Sequence, residues 1–298
     1  MKIAVHSKVF HQDRFPYIKA VLDEILHRKC HLSVSKEFAF YLQEYGVDVA
    51  YDSIYYNTAD LADFDFAISI GGDGTLLETV TAVRDTGIPV LGINTGRLGF
   101  LATLSRDSII EGMEALFSGE YIIEERTLLE IDTQSAIFGG VNFALNDFTV
   151  TKRDTASMII VHAYLNGEYL NSYWADGLIV STPTGSTAYS LSVGGPIIAP
   201  HCQVFIIAPI SPHNLNVRPL VVSDDSEISL EIEGRSNNFL ISLDSRSVIV
   251  DASIRLHIRK AAFKTKLVRF KGESYFKTLR IKVSWGFDSR NWPSEGFL

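Results

Sequence analysis

Cysteine is nearly absent from this chain of 298 residues: only Cys30 and Cys202 occur, far apart and each alone. Two isolated thiols give neither a disulfide framework nor the paired spacing of a zinc site, and they read as inert or buried side chains. Long apolar runs are also missing, and none approaches the length of a membrane span. The first ten residues, MKIAVHSKVF, read as a strand and lack a signal-peptide pattern. A reduced, cytoplasmic setting is therefore expected. Nor is there an excess of positive charge, with 27 Lys and Arg against 35 Asp and Glu and a net charge of -8. Phosphate backbones are bound through clustered Lys and Arg, so a nucleic-acid partner is not expected, and neither is a membrane. A small anionic substrate remains compatible, because a nest of backbone N–H groups binds phosphate even on an acidic protein.

Several familiar sites are missing as well. No Gly-Lys pair occurs anywhere, which excludes the G-x-x-x-x-G-K-[ST] phosphate loop. No G-x-G-x-x-G follows a strand, and the protein-kinase signatures are absent. His201 and His213 each follow a proline, but their spacing fits no standard metal-ligand pattern, so no metal-ligating residue is assigned.

What is present is a globular composition, 46% hydrophobic and 21% charged, sufficient for a buried core. Strand and helix signals alternate in the first part. Lys2 to Val5 reads as a strand, Tyr17 to His27 as a helix, Asp63 to Ile70 as a buried strand, and Thr75 to Val83 as a helix stopped at Gly87. Pro89 to Ile93 reads as a strand, and Ser105 as the cap of a helix reaching Phe117. Such alternation means βαβ units and a parallel sheet. After about Glu125 the texture changes. Asn166-Gly167 between two alternating runs is a hairpin signal, since both central positions of a type I′ turn need positive φ. Runs at Val204 to Ala208, Glu227 to Glu233, Phe239 to Leu243, Ile254 to Ile258 and Lys266 to Phe270 predict an antiparallel β domain. The expected organisation is an α/β domain over 1–125, a β-rich domain over 126–270 and a helical tail over 271–298 that returns to the first domain.

Three segments carry chemistry. Gly71-Gly72-Asp73-Gly74-Thr75 lies between a buried strand and a helix, in the crevice where α/β proteins bind ligands. Glycines let the backbone approach a phosphate, and the helix start offers unpaired N–H groups. A carboxylate repels phosphate, so Asp73 makes sense if it accepts a hydroxyl proton or faces a metal; a tight turn capped by Asp would use the same residues. The next strand end, Gly96-Arg97-Leu98-Gly99-Phe100, should lie beside the first, with Arg97 available for a phosphate or simply solvated. The third segment runs from Asp176 to Pro196. There an apolar strand enters a loop holding Thr182, Thr184, Ser186, Thr187, Ser190 and Ser192, with Tyr189 as a flat surface for stacking. An ordinary Ser/Thr-rich surface loop is the competing reading, and Asn146-Asp147 alone marks only a turn.

Together these segments resemble the NAD kinase family. The resemblance rests on GGDGTLL at 71–77, GRLGF at 96–100, Asn146-Asp147, DGLIVSTPTGSTAYSLSVGGPI at 176–197, Pro212-His213 with Arg218-Pro219, and Asp244-Ser245. They come in the family's order and span most of the chain. GGDG is shared with diacylglycerol and sphingosine kinases and with phosphofructokinases, whereas the second block is specific.

The resemblance implies a Rossmann-like α/β N-terminal domain and a β-rich C-terminal domain. It also implies ATP as donor with Mg²⁺ or another divalent cation, NAD as acceptor, and a homodimer or homotetramer in which neighbouring subunits help close the NAD site. Asp73 matches the family's catalytic carboxylate. The matching nucleotide-contacting positions are Gly71, Gly72, Asp73, Gly74, Thr75, Arg97, Phe100, Asn146, Asp147, Trp174, Asp176, Thr184, Thr187, Ala188, Tyr189, Ser190, Leu191, Ser192, Ser211 and Arg246. Three depart from the common pattern: Asp147 replaces the more usual Glu, Trp174 a basic residue, and Arg246 a Gln. Two rivals stay open at this point, a lipid or sphingoid kinase sharing the GGDGT loop and a non-catalytic NAD(P) sensor.

Overall fold

A computed structural model describes residues 1–8, 12–96, 99–133, 136–153 and 158–286. The chain divides into two compact units, one formed by Met1–Glu124 with the segment from Lys266 onward, the other by Glu125–Thr265.

The first unit holds strands β1 (Lys2–Ser7), β2 (His31–Ser35), β3 (Ser53–Tyr55), β4 (Phe66–Gly71), β5 (Val90–Asn94) and β6 (Leu104–Ser105). Its helices are α1 (Phe15–His27), α2 (Lys36–Glu44), α3 (Asp73–Val83) and α4 (Ile109–Ser118). The strands are parallel in the order β5–β4–β1–β2–β3, with β6 on β5. Chain order reverses between β4 and β1, which makes that pair the switch point of the sheet. Parallel strands hidden on both faces read as continuous apolar runs, and β4 is buried from Phe66 to Ile70. Helix α1 carries Pro16 in its first turn and buries Ile18, Val21, Leu22 and Ile25 along one face. Helix α4 follows a capping box between Ser105 and Ser108 and ends at Gly119, whose φ is +78°.

The second unit is antiparallel. Strand β7 (Tyr121–Asp132) leads into it, followed by β8 (Phe143–Ala144), β9 (Asp147–Lys152), β10 (Ile159–Leu165), β11 (Glu168–Ala175), β12 (Gly177–Ser181) and β13 (Val204–Ile210). Then come β14 (Leu220–Ser223), β15 (Ile228–Gly234), β16 (Asn238–Leu243), β17 (Arg246–Asp251) and β18 (Leu256–Phe270). One sheet has the order β14–β13–β12–β9–β16–β17, and β11–β10–β15–β18 run together in the other. Alternating residues of both sheets, among them Phe148, Leu178, Phe205 and Phe239 opposite Val161, Ile228 and Leu256, make one core. Short helix α5 (Tyr189–Ser192) follows β12, and α6 (Tyr275–Val283) follows β18 in the first unit.

The turn at Asn166-Gly167 has φ of +52° and +82°, and Leu165 pairs with Glu168 across it. Elsewhere the structure departs from the sequence reading. Helix α3 starts at Asp73, not Thr75, and stops at Arg84, whose φ is +51°, before Gly87 is reached. The runs taken as two strands, Ile254 to Ile258 and Lys266 to Phe270, are one continuous β18, which therefore crosses from one unit into the other at Thr265. The segment after β12 is no open loop: Thr184–Thr187 forms a turn of 3₁₀ helix before α5. No helix among the described residues is long and apolar enough to cross a membrane.

Candidate active site

In the first unit, Gly71 at the end of β4 stands opposite Asn94 at the end of β5, so the two glycine-bearing segments leave the same edge of the sheet. Asp73 opens α3. Its carboxylate accepts backbone N–H bonds from Phe100 (2.8 Å), Leu101 (3.2 Å) and Ala102 (3.4 Å), which ties the two strand ends together. A Cβ on Gly99 would stand 1.8 Å from Asp73 Oδ1, and one on Gly71 2.3 Å from Thr75 Oγ1. Those two glycines answer to packing. Gly72 and Gly74 do not: a Cβ on either meets nothing within 4 Å, and neither has a positive φ. The N–H groups of Asp73 and Gly74, first in the helix, have no intrahelical acceptor. The loop thus presents bare backbone donors at the positive end of a helix, which is the chemistry of a phosphate cradle. Arg97 lies outside the described residues. A cation not singled out in the sequence, Arg14, leans on the segment after β5: a Cβ on Gly96 would be 3.3 Å from its Nη2.

In the second unit, Asn146 and Asp147 are held by Asp244. That carboxylate accepts the N–H groups of Leu145 (3.0 Å), Asn146 (2.8 Å) and Asp147 (3.2 Å), and Asp244 sits in the β16–β17 turn with φ of +52°. Burial pushes the Asp147 carboxyl up to about 7, and the neighbouring Asp244 charge adds to it. Burial raises Asp244 as well, opposed by the three N–H donors and by Arg246. Those donors favour the charge on Asp244, so Asp147 is the member of the pair that keeps a proton. A protonated Asp147 both donates and accepts, as a ribose hydroxyl does.

The Ser/Thr segment packs on this pair mostly through its own hydroxyls. Thr182 Oγ1 donates to the Leu145 carbonyl at 2.5 Å, Ser181 Oγ to Asn146 O at 3.2 Å and Ser186 Oγ to Pro183 O at 2.7 Å. Thr187 donates to Thr184 O at 3.3 Å, and Thr184 Oγ1 accepts from Arg126 at 3.2 Å. A Cβ on Gly185 would come within 2.1 Å of the Asn146 carbonyl. These hydroxyls therefore fix the segment's shape, where the sequence alone offered them to a ligand. The polar side chain left over is Ser190 Oγ, buried without a hydrogen-bond partner among the described residues. Tyr189 presents its ring to solvent at 43% exposure, Ser192 is exposed, and Ala188 and Leu191 are half-buried.

Of the remaining candidates, Trp174, Asp176 and Ser211 lie on adjoining stretches of chain, where the Asp176 N–H donates to the Ile210 carbonyl at 2.9 Å. Trp174 is half exposed and its carbonyl receives the His213 N–H at 2.8 Å. Asp176 is paired with Lys152 at 2.6 Å. Ser211, just beyond β13, is exposed and has φ of +47°. Arg246 is committed to the protein: its guanidinium donates to the carbonyls of Val141 (2.6 Å) and Phe143 and lies near the Phe138 and Phe143 rings. It steadies the chain leading to Asn146.

Known proteins match on this scale. The ATP-NAD kinase N-terminal domain family matches residues 13–121, and the ATP-NAD kinase C-terminal domain family residues 145–270. The NAD kinase of Cytophaga hutchinsonii is 50% identical over 292 residues, 98% of this chain and 100% of that protein. That of Flavobacterium psychrophilum is 45% identical over 294 residues, again 98% and 100%. Among solved structures, an NAD kinase from Archaeoglobus fulgidus in complex with ATP has a TM-score of 0.73 at 28% identity, covering 95% of this chain and 99% of that one. Yeast NADH kinase complexed with NADH has a TM-score of 0.83, covering 99% and 90%; at 23% identity this is a likeness of fold.

Two predictions follow from the site's construction. Gly74→Ala should raise stability by roughly 0.5–1 kcal/mol, because alanine is the better helix residue and the space is open, yet lower activity by blocking the backbone. Gly99→Ala should destabilise by at least about 1.5–3 kcal/mol, the worth of a hydrogen bond to a charged group. Urea titrations with parallel activity assays check both; a Gly74→Ala protein of full activity would remove the cradle reading. The second concerns pH. Because the folded-state value of Asp147 is raised from 3.8 to about 7, the stability it contributes is complete below pH ~4 and is lost as pH rises through about 7, by up to a few kcal/mol. Asp147→Asn should make the fall in stability between pH 4.5 and 8.5 in urea unfolding measurably shallower, and identical slopes in the two proteins would refute it.

Proposed function

This chain belongs to the NAD kinase family, and from that premise we propose how its residues divide the transfer of a phosphoryl group from ATP to the 2′-hydroxyl of the adenosine ribose of NAD. The products are ADP and NADP. The observation that carries the reading is the pair Gly72 and Gly74: neither is demanded by packing or by φ, and both bare the backbone at a helix start. Phosphoryl transfer needs little covalent help and is governed by positioning and charge. The N–H groups there receive the donor's phosphates. Mg²⁺, when bound, neutralises those phosphates. Such an ion is carried largely by phosphate oxygens and water.

Asp73 is read as the catalytic carboxylate. Two oxygens receiving three N–H bonds retain acceptor capacity, and its part is to accept the 2′-OH hydrogen bond, align that oxygen and take its proton as the P–O bond forms and the bond to ADP breaks. Asn146, Asp147, Asp176 and residues 187–192 hold NAD, with Tyr189 against the adenine. Trp174, Thr184 and Ser211 complete that region, while Arg246 acts indirectly. We further read the active form as a cytoplasmic homodimer or homotetramer, since Trp174, Leu220 and Val221 leave apolar surface exposed on β11 and the edge strand β14; light scattering decides it, and a fully active monomer would overturn it.

The direct test is NADP formation from NAD, ATP and Mg²⁺ by the purified protein. Asp73→Asn should lower kcat on the order of 10²–10⁴-fold, the share of a positioned general base, with NAD affinity nearly unchanged by calorimetry. Turnover within a few-fold of the parent would reduce Asp73 to a clamp. Tyr189→Ala should weaken NAD binding by about 1–3 kcal/mol, the scale of base stacking, and Tyr189→Phe should cost little; equal losses would mean that the hydroxyl matters and the stacking does not.

A further inference from the structure

Asp73 owes its orientation to the three N–H groups it accepts, and those groups belong to a stretch with no ladder of its own. Residues 99–103 run irregularly between β5 and β6. Whatever holds that stretch therefore holds the carboxylate. Ala102 lies close against the sheet: a Cβ on Gly92 would stand 2.8 Å from its Cα. The next residue, Thr103, is tied at two points. Its N–H donates to the Gly92 carbonyl at 2.9 Å, and its hydroxyl donates to the Val268 carbonyl at 2.9 Å.

These two bonds satisfy both donors of Thr103. A third bond reaches it from β18. Arg269 Nη1 donates to Thr103 Oγ1 at 3.1 Å, while Arg269 Nε donates to Glu124 at 2.9 Å. The arginine side chain is only 16% exposed, so its charge is largely withdrawn from water. One planar group thus grips a hydroxyl and a carboxylate at once, a fork that lysine does not reproduce. The strand end that carries it is closed in turn. Phe270 N–H donates to Glu273 Oε2 at 3.4 Å, and Glu273 N–H donates to the Phe270 carbonyl at 3.3 Å.

We infer that Arg269 is a positioning residue for Asp73, acting through Thr103 and the backbone of Phe100 to Ala102. The inference rests on the reading of Asp73 as the catalytic carboxylate and extends it to the group that aims it. The contacts run from Glu124 to Arg269, Thr103, Ala102 and Asp73, all within the first unit. Two carboxylate oxygens that accept three N–H bonds have few acceptor directions left. Which of them faces a substrate hydroxyl is set by where the three donors stand. A misplacement of about 1 Å at a reacting group costs on the order of 10²-fold in rate, so a partial slackening of this stretch is felt in turnover before it is felt in binding. Arg269 needs no contact with either substrate in this role.

Two variants and one cycle test it. Arg269→Met keeps the apolar stem and removes the fork. It should lower kcat for NADP formation about tenfold, with KM for ATP, KM for NAD and calorimetric NAD affinity each within about two-fold of the parent. Thr103→Val removes the hydroxyl and keeps the shape, and should do the same. The double variant should lose no more than either, because both act on one path. The deciding readout combines Arg269→Met with Asp73→Asn: with no carboxylate left to aim, the residual kcat of Asp73→Asn should not fall further. A loss repeated in full in that background overturns the positioning role and leaves Asp73 catalytic, and so does a parental kcat in both Arg269→Met and Thr103→Val. Near-parental turnover by Asp73→Asn alone overturns the reading of Asp73 instead, and this inference with it. Should Arg269→Met fail to fold, Thr103→Val carries the same cycle with the same outcomes.

Discussion

Both units depend on one kind of contact, an aspartate whose two oxygens accept three consecutive backbone N–H groups. Asp73 takes those of Phe100 to Ala102, and Asp244 those of Leu145 to Asp147. Irregular chain beside a sheet edge has donors that no ladder satisfies, and leaving them buried and unpaired costs ~1–3 kcal/mol each. A single carboxylate answers three at once with charge-assisted bonds. The segments so tied are the ones that carry candidate ligand contacts.

The glycines sort by the same reasoning. Gly71, Gly99 and Gly185 are forced by neighbours that leave no room for a Cβ, whereas Gly72 and Gly74 face open space. The first group makes the scaffold possible and the second leaves it bare, although all five occur in glycine-bearing segments that look alike in sequence.

Much of the architecture was legible because periodicity survives folding. The run from Asp63 to Ile70, the apolar stripe of α1 and the Asn166-Gly167 turn each carry a local signal that tertiary contacts reinforce. Strand β2 and helix α2 were passed over, since HLSVS is short and polar for a buried strand and KEFAFYLQE follows it without a loop. The length of β18 was hidden by charged residues that alternate through it on an exposed face. In the site, residue types were legible and directions were not. Nothing in STPTGSTAYS tells which hydroxyls turn inward; Leu145, Pro183 and Asn146, whose carbonyls receive them, are fixed only by the fold. The role of Asp244 was unreadable for the same reason, as its partners lie about a hundred positions earlier. Arg84 shows the limit most plainly: its positive φ belongs to the backbone and leaves no trace in composition.

The hairpin between β10 and β11 bears on the lifetime of the protein. An asparagine followed by glycine is the dipeptide most open to deamidation, because the unhindered glycine nitrogen attacks the side-chain amide. Here the backbone N–H of Glu227 donates to Asn166 Oδ1 at 2.9 Å, and Asn166 N–H donates in turn to Glu227 O at 2.8 Å. The amide is held in place by a neighbouring strand while both turn residues keep positive φ. Chemical ageing at that peptide is thereby coupled to folding: it advances when the hairpin opens, and the isoaspartate it leaves, with an extra backbone carbon, no longer fits the two-residue turn.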